Sequence, residues 1–116
     1  MSKRSNRIGN LIKVEISNMI LFGDLKDPRL QGVFITNVKV SDDIGKATIM
    51  FSKSKDMEVG NILEGFKKAS GFIRKNLAKN LYLKRVPSLF FIYDDTMEQV
   101  EKIDLLLNKL NQSDNE

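Results

Sequence analysis

The stretch VFITNVKVSDDIGKATIMF, residues 33–51, decides the fold because it contains two strand-like runs joined by a turn. The run 33–40 is rich in β-branched residues, and the run 47–51 is apolar. The polar, glycine-containing break at 41–46 is short enough for a hairpin, so we predict that the two runs pair antiparallel. Alternation along the first run predicts one face for four of its residues and the opposite face for Lys39. The four are Phe34, Thr36, Val38 and Val40.

Helical periodicity precedes this hairpin. Apolar residues recur at three- and four-residue steps over residues 7–22, which predicts an amphipathic helix with Asn6 or Ser5 as its N-cap and Gly23 as its stop. Residues 24–32 contain a proline and end on a glycine, so we expect a turn-rich connection there rather than a strand.

A second helical pattern follows the hairpin. Asp56 is expected to cap a helix whose apolar positions run from Val59 to Leu81. The pair Ser70-Gly71 interrupts this pattern, because a helix-interior glycine costs about 1 kcal/mol relative to alanine and Gly/Ser pairs are common kink sites. We therefore expect two helices that meet at a bend.

The last part of the chain predicts a strand and a closing helix. Pro87 ends the helical stretch, and residues 89–93 form the third strand. The closing helix should begin near Thr96, where Thr96 and Gln99 have the capping-box spacing, and run to about Leu110. The element order predicts one α+β domain over residues 1–116, with an ordered core of about 7–110 and a three-stranded sheet packed by helices on one face.

Composition excludes several classes of chemistry. The 116 residues include no Cys and no His, so the chain has no thiolate nucleophile, no imidazole base and no zinc site of the Cys/His kind. No apolar run approaches the roughly 18 residues needed to span a bilayer, and the start lacks a signal-peptide pattern. We expect a cytoplasmic protein without a cofactor or a membrane partner.

Charge is distributed unevenly along the chain. Residues 1–85 carry 17 basic and 8 acidic side chains, whereas residues 86–116 carry 2 basic and 7 acidic ones. The stretch 67–85 holds seven cations and no acid, which favours a surface that binds a polyanion such as RNA over an ordinary solvated helix face. The seven are Lys67, Lys68, Arg74, Lys75, Lys79, Lys84 and Arg85.

Several further residues could extend that surface. Small residues Ala69-Ser70-Gly71 either admit a phosphate backbone and expose amide groups at the start of a helix, or simply let two helices pack. Arg4 and Arg7 are three residues apart and either join the surface or belong to a disordered start. Arg29 either contacts a phosphate or pairs locally with Asp24 or Asp27.

Other polar and aromatic groups are expected to be structural. The pairs Asp42-Asp43 and Asp94-Asp95 suit turns and helix caps better than catalysis or Mg²⁺ binding. Adjacent serines and lysines at 52–55 do not supply a buried, activated nucleophile. Most aromatic rings fall at core-like positions, with Tyr82 the ring expected to be exposed. We therefore expect a protein that is not an enzyme.

Taken in order, several short motifs resemble the bacterial ribosome-binding factor A family, and the resemblance runs from about residue 7 to residue 110. No single motif is diagnostic, but their order and spacing are specific. They are Asp27-Pro28-Arg29, Ile35-Thr36-Asn37-Val38, Ser41-Asp42, Ala47, the run 69–77 (ASGFIRKNL) and the run 87–91 (PSLFF).

This resemblance implies a single KH-like domain of the type II order α-β-β-α-kink-α-β, with a C-terminal helix added. The usual GxxG loop would be replaced by a kink at Ala69-Ser70-Gly71. Members of the family bind the small (30S) ribosomal subunit and its 16S rRNA and assist late rRNA processing and subunit maturation, often in cold adaptation. They are not enzymes, and a monomer is expected.

By position, the resemblance would assign RNA binding to the cations around the kink. One departure is that many members carry a longer tail than this chain, which puts tail-dependent functions in doubt. The alternative that the residues leave open is a protein-interaction module whose basic face binds an acidic protein. The RNA-binding candidates are Arg4, Arg7, Arg29, Lys67, Lys68, Ala69, Ser70, Gly71, Arg74, Lys75, Lys79, Lys84 and Arg85.

Overall fold

The computed structural model describes residues 2–114, which form three α-helices, one 3₁₀ turn and a three-stranded sheet. In chain order the elements are α1 (Lys3–Leu21), the 3₁₀ turn (Pro28–Leu30), β1 (Val33–Val40), β2 (Lys46–Lys53), α2 (Val59–Leu81), β3 (Ser88–Tyr93) and α3 (Thr96–Asp114). The predicted α+β class and KH-like fold are confirmed.

The sheet has the strand order β1-β2-β3, with β2 in the centre. β1 and β2 form the predicted antiparallel hairpin, in which Val40 pairs with Ala47 and Ile35 with Phe51. β3 returns through α2 and pairs parallel with β2, so that Ile49 lies opposite Phe91. The crossover through α2 places Lys84 and Arg85, which end the basic stretch 67–85, next to the hairpin turn.

A β-bulge corrects the predicted faces of β1. The register shifts between Ile35 and Asn37, so Thr36 is the extra residue and the alternation changes phase there. Val38 and Val40 face the core, whereas Phe34 lies on the opposite face and is 59% exposed. Strict alternation from Val40 back to Phe34 fails because it assumes an uninterrupted strand.

Helices α1 and α2 cover one face of the sheet and bury the core against it. Aromatic rings fill the centre of this layer, where Phe66 of α2 stacks on Phe91 with ring centroids 4.2 Å apart. Phe51 lies against both Phe66 and Tyr93. Gly9 lets α1 lie directly on β1, because a Cβ at this position would come within 2.7 Å of the Val38 carbonyl oxygen.

The helix starts differ from the sequence prediction. α1 begins at Lys3 and is capped by Ser2, whose Oγ accepts a hydrogen bond from the Ser5 N–H at 3.0 Å, so neither Asn6 nor Ser5 is the cap. α2 begins at Val59 without a side-chain cap, so the prediction for Asp56 is also wrong. The predicted stop is confirmed, since Gly23 follows the α1 C-cap with a φ of +78°.

α2 is one continuous helix of 23 residues, so the predicted division into two helices at Ser70-Gly71 is wrong. The buried stripe of α2 continues on both sides of that pair, from Ile62 and Phe66 to Ile73 and Leu77. Burying such side chains contributes about 1.5–3 kcal/mol each, which exceeds the roughly 1 kcal/mol helix penalty of a single glycine.

α3 begins at Thr96 as predicted, but it does not join the core. Its start is capped by Asp94, whose carboxylate accepts the Thr96 N–H at 3.0 Å, and not by a capping box at Thr96. Side chains from Thr96 to Gln112 are all exposed. The longest dimension of the molecule is 64 Å because α3 extends away from the two-layer body.

Candidate nucleic-acid interface

Five cations lie on the solvent face of α2, and all five are exposed. At about 100° per residue they span an arc of about 140°, opposite the buried stripe of the helix. Gly71 lies near the middle of this arc. We call this face the basic surface, and its cations are Lys67, Lys68, Arg74, Lys75 and Lys79.

Gly71 leaves a bare patch of backbone within the basic surface. A Cβ at this position would meet nothing within 4 Å, so no packing contact requires glycine there. Ala69 and Ser70 are half-buried, and Ala69 packs against the core. The two interpretations of the small-residue run therefore apply to different residues, since Ala69 serves packing and Gly71 allows close approach from solvent.

The predicted exposure of helix-start amides at this run is wrong. Because α2 continues through residues 69–71, there is no second helix N-terminus there to present free N–H groups. An anion at the basic surface would meet cationic side chains and the small profile of Gly71 instead.

A second group of cations lies where α2 ends. Arg4, Lys84 and Arg85 line an open groove of about 410 Å³ together with Tyr82 and Asp43. Tyr82 is 91% exposed, as predicted, and it caps α2 in a left-handed conformation with a φ of +52°. The α2 crossover therefore places the chain's start and the 84–85 pair beside one another, and we call this site the basic groove.

Arg7 lies one turn after Arg4 on α1. Its side chain is exposed, but it does not line the basic groove. The structure thus brings Arg4 together with Lys84 and Arg85 and leaves Arg7 beside them.

Arg29 is held in a local ion pair, as one of its two interpretations predicted. Its Nη2 lies 2.6 Å from Asp27 Oδ2, and its Nη1 lies 3.5 Å from Glu64 Oε2. The Arg29 guanidinium lowers the pKa of the Asp27 carboxyl from 3.8 to about 2. Because Asp27 and Glu64 already compensate its charge, Arg29 adds no free cation to the basic surface.

The chain carries no acidic side chain from Lys67 to Arg85, the stretch that supplies the basic surface and two cations of the basic groove. Glu64 precedes it by one turn, and the next acid along the chain is Asp94. Lys79 lies in the last turn of α2, where the helix dipole favours a cation. Two acids from other elements lie beside the end of α2, since Glu15 of α1 accepts a hydrogen bond from the Asn80 side chain at 3.1 Å and Asp43 lines the basic groove. The cations without a neighbouring acid are therefore those around Gly71, and such a cluster attracts phosphate.

Sequence periodicity missed the exposure of Phe72. Its ring is 45% exposed on α2, one turn from both Lys68 and Lys75. The helical pattern from Val59 to Leu81 includes both Phe72 and Ile73 among its apolar positions, yet only Ile73 points inward. An exposed ring among cations can stack on a nucleobase, so Phe72 joins the candidate residues. Phe90 and Phe34 are exposed too, on the other face of the sheet.

The acidic pairs have the structural roles that their positions predicted. Asp43 accepts hydrogen bonds from the Ser41 hydroxyl and the Gly45 N–H, which lower its pKa and close the hairpin turn. Asp94 caps α3 and also accepts a hydrogen bond from the Thr36 hydroxyl at 2.8 Å.

Within residues 2–114 there is no cluster of three acidic side chains placed to hold a metal ion. No helix in that same range is long and apolar enough to cross a membrane.

Comparison with known proteins gives consistent results. The family model "Ribosome-binding factor A" matches residues 4–107. Ribosome-binding factor A of Syntrophus aciditrophicus is 41% identical over 113 residues, covering 97% of this chain and 91% of that protein. The crystal structure of ribosome-binding factor A from Thermus thermophilus superposes with a TM-score of 0.67 at 20% identity, covering 77% of this chain and 94% of that one.

A second Thermus thermophilus structure is a homology model of the factor fitted into the cryo-EM map of a 30S complex. It superposes with a TM-score of 0.65 at 21% identity and covers 78% of this chain and 94% of that one. Fold, motif order and near-complete alignment with curated relatives agree, and the chain belongs to the ribosome-binding factor A family.

Proposed function

We propose that this chain is an assembly factor that binds the free small ribosomal subunit through its basic surface and basic groove. It contacts 16S rRNA and assists late rRNA processing and subunit maturation in the cytoplasm. One copy binds each subunit and acts by docking, without a catalytic step. Membership of the family supports the proposal, as does the Thermus thermophilus relative that was fitted into a 30S complex.

The observation that carries the proposal is the run of seven cations without an acid in residues 67–85, five of them on the solvent face of one helix around Gly71. At about 1.5 Å per residue, α2 is about 34 Å long. RNA phosphates along a groove or a single strand could therefore meet several of these side chains at once.

Affinity and selectivity would come from different contacts. Lysine and arginine heads on phosphates supply most of the binding free energy but read no sequence. Selectivity comes from RNA shape and from unstacked bases, for which Phe72 and Tyr82 offer exposed rings next to cations. The bare backbone at Gly71 lets an RNA strand approach α2 more closely than any side chain would allow.

Binding across a salt series tests this function. If about five cations neutralise phosphates of single-stranded RNA, log K should fall with log salt at a slope of about −3.5, so that a fourfold rise in salt costs about a hundredfold in affinity. Purified 16S rRNA and isolated small subunits should both show a steep slope. Tight binding to subunits with no binding to protein-free rRNA would instead favour the alternative, an acidic protein partner.

A further inference from the structure

The sheet has an open face, because α1 and α2 both pack on its other side. On β3 the Phe91 ring stacks on Phe66 in the helix layer, whereas Phe90 points the opposite way and is 47% exposed. None of the three strands contains an acidic residue. The exposed rings and cations of the open face are Phe34, Lys39, Lys46 and Phe90.

Two lysines and one ring lie together at the end of the open face nearest the hairpin turn. Lys39 of β1 pairs with Thr48 of β2, and Thr48 pairs with Phe90 of β3, so the three side chains form one row across the sheet. The row is about 10 Å wide, since neighbouring strands are about 4.8 Å apart. Lys46 lies two residues before Thr48, and its Nζ lies 4.8 Å from the centre of the Phe90 ring. We call these four residues the sheet site.

A depression of about 310 Å³ lies between the two lysines of the sheet site. Ser41 and Asp42 of the hairpin turn contribute to its lining. Asp42 is the one acid in this lining, and its Oδ1 already accepts a hydrogen bond from the Ser2 N–H at 3.1 Å. The other acid of the turn, Asp43, lines the basic groove instead. The two lysines therefore give the depression a net positive charge.

An exposed ring flanked by cations on a sheet suits a nucleotide of a single strand, because the ring stacks on the base and the ammonium groups bind the phosphates. In the free protein, Lys46 makes an exposed cation–π contact with Phe90. Base stacking is worth more than such a contact, so a base would displace the ammonium group, and the flexible lysine stem lets it reach the adjoining phosphate. Bases within a duplex are already stacked and paired, so the sheet site would select single strands.

The opposite end of the open face lacks this combination. Phe34 is exposed there, but the residue paired with it is Ser52 rather than a lysine. Asp94 lies at this end too, since its carboxylate accepts a hydrogen bond from Thr36 of β1 at 2.8 Å. A carboxylate repels phosphate, so the charges favour RNA at the hairpin end of the open face only.

The sheet site adjoins the basic surface around the edge of β3. A groove of about 350 Å³ along this edge is lined by Phe90 together with Lys67 and Ser70 of α2. A flexible strand with a charge on every nucleotide can follow this groove from one side of the domain to the other. A folded acidic protein would contact only one side, so the continuity favours RNA as the occupant.

We propose that the open face carries a second site for single-stranded RNA, in which a base stacks on Phe90 and the neighbouring phosphates bind Lys39 and Lys46. The inference goes beyond the proposed function, which uses only the helix side of the domain. The link between the two sites rests on that proposed function, whereas the sheet site itself does not.

Fluorescence anisotropy of the full chain with a labelled ten-nucleotide single strand of RNA tests the proposal. Phe90→Ala should weaken binding by about tenfold, because one base stack is lost. Phe34→Ala is the matched control, since its ring is exposed on the same face at the other end, and it should bind like the parent chain. An RNA duplex of ten base pairs should bind all three proteins alike. If Phe90→Ala lowers the thermal unfolding midpoint, Phe90→Leu keeps an apolar side chain without an aromatic face.

A salt series with lysine variants tests the phosphate contacts. Lys39→Gln combined with Lys46→Gln should lower the magnitude of the slope of log K against log salt by about 1.4, because each phosphate of a single strand contributes about 0.7. The control, Lys55→Gln combined with Lys109→Gln, removes the same charge from exposed positions elsewhere and should leave the slope unchanged.

Parent-like binding of the single strand by Phe90→Ala and by the Lys39/Lys46 variant overturns the proposal and favours a protein as the occupant of the open face. An equal loss for duplex and single strand also overturns it, because base stacking would not be the cause. In either case, loss of binding on reversal of Lys68, Arg74 and Lys75 would still support the proposed function. A loss with Phe90→Ala but none with that reversal would support the sheet site and contradict the assignment of the basic surface.

Discussion

Phe72 is the aromatic ring best placed to recognise a base. Its neighbours on the outer side of α2 are Lys68 and Lys75, so a nucleotide stacked on the ring would have its phosphates within reach of two cations. Phe66 on the same helix is buried and cannot take this role.

We expect Phe72→Ala to weaken binding of a single-stranded 16S rRNA fragment by about tenfold, because base stacking on an aromatic ring is worth about 1–3 kcal/mol. Fluorescence anisotropy with a labelled oligonucleotide measures the change. Phe34→Ala is the control, since this ring is exposed on the opposite side of the sheet. Equal losses for the two variants would contradict a specific role for Phe72.

Asp27 and Arg29 form an ion pair whose effect on stability depends on pH. Hydrogen bonds from the Arg29 side chain and backbone lower the pKa of Asp27 from 3.8 to about 2. A carboxyl with a lowered pKa stabilises the folded chain fully above its unfolded pKa, and this stabilisation is lost as the pH falls towards the folded pKa.

Urea unfolding of the parent chain and of Asp27→Asn at a series of pH values tests this linkage. We expect the variant to be less stable by a constant amount above about pH 4, with the difference shrinking as the pH falls from about 4 to about 2. Asparagine keeps a side-chain acceptor for the Arg29 N–H but lacks the charge. A difference that is unchanged at pH 2 would show that the ion pair is not its source.

Contacts between residues close in the chain could be predicted from the sequence, whereas the exposure of a side chain on a helix could not. Arg29 and Asp27 are only two residues apart in the chain, so their pairing could be predicted from the sequence. Whether Phe72 or Ile73 points inward depends on how α2 is rotated about its own axis relative to the sheet. A sequence with apolar residues at both positions does not decide between them.

Among the elements, α2 combines a buried stripe with an exposed glycine in its centre. Gly71 has open space around its missing side chain, so the helix loses stability there without gaining a packing contact. Gly9 of α1 is the opposite case, because the Val38 carbonyl leaves no room for a Cβ.

We therefore expect Gly71→Ala to stabilise the domain by about 1 kcal/mol, whereas Gly9→Ala should destabilise it. Chemical denaturation followed by circular dichroism measures both changes. If Gly71→Ala is stabilising and also weakens rRNA binding, the glycine serves the interface at the expense of the helix. A destabilising Gly71→Ala would contradict the open, continuous helix described above.

Sequence periodicity located the three strands and the three α-helices, although it divided α2 into two helices. The hairpin of β1 and β2 follows from a turn between two short apolar runs, which are local features. The bulge at Thr36 was not predictable, because it depends on pairing with β2 and on the hydrogen bond to Asp94 in another part of the chain. Continuity of α2 through Ser70-Gly71 likewise depends on tertiary packing of Phe66 and Ile73, which overrides local propensity.

The whole molecule separates its charges and its surfaces. The basic surface and the basic groove lie on the side of the helices, the opposite face of the sheet exposes Phe34 and Phe90, and α3 extends away from the body. Net charge alone, +4, conceals this arrangement. The split between a basic body and an acidic end was visible in the sequence, but the meeting of Arg4 with Lys84 and Arg85 required the fold.

Co-sedimentation with separated ribosomal particles tests the central claim most directly. The test variant reverses three cations of the basic surface, Lys68→Glu, Arg74→Glu and Lys75→Glu, and the control reverses three cations elsewhere, Lys55→Glu, Lys102→Glu and Lys109→Glu. Both variants have the same net charge, and circular dichroism verifies that both are folded. We predict that the parent chain and the control sediment with the small subunit and that the test variant does not. Equal sedimentation of the test variant and the control would contradict the assignment of the basic surface.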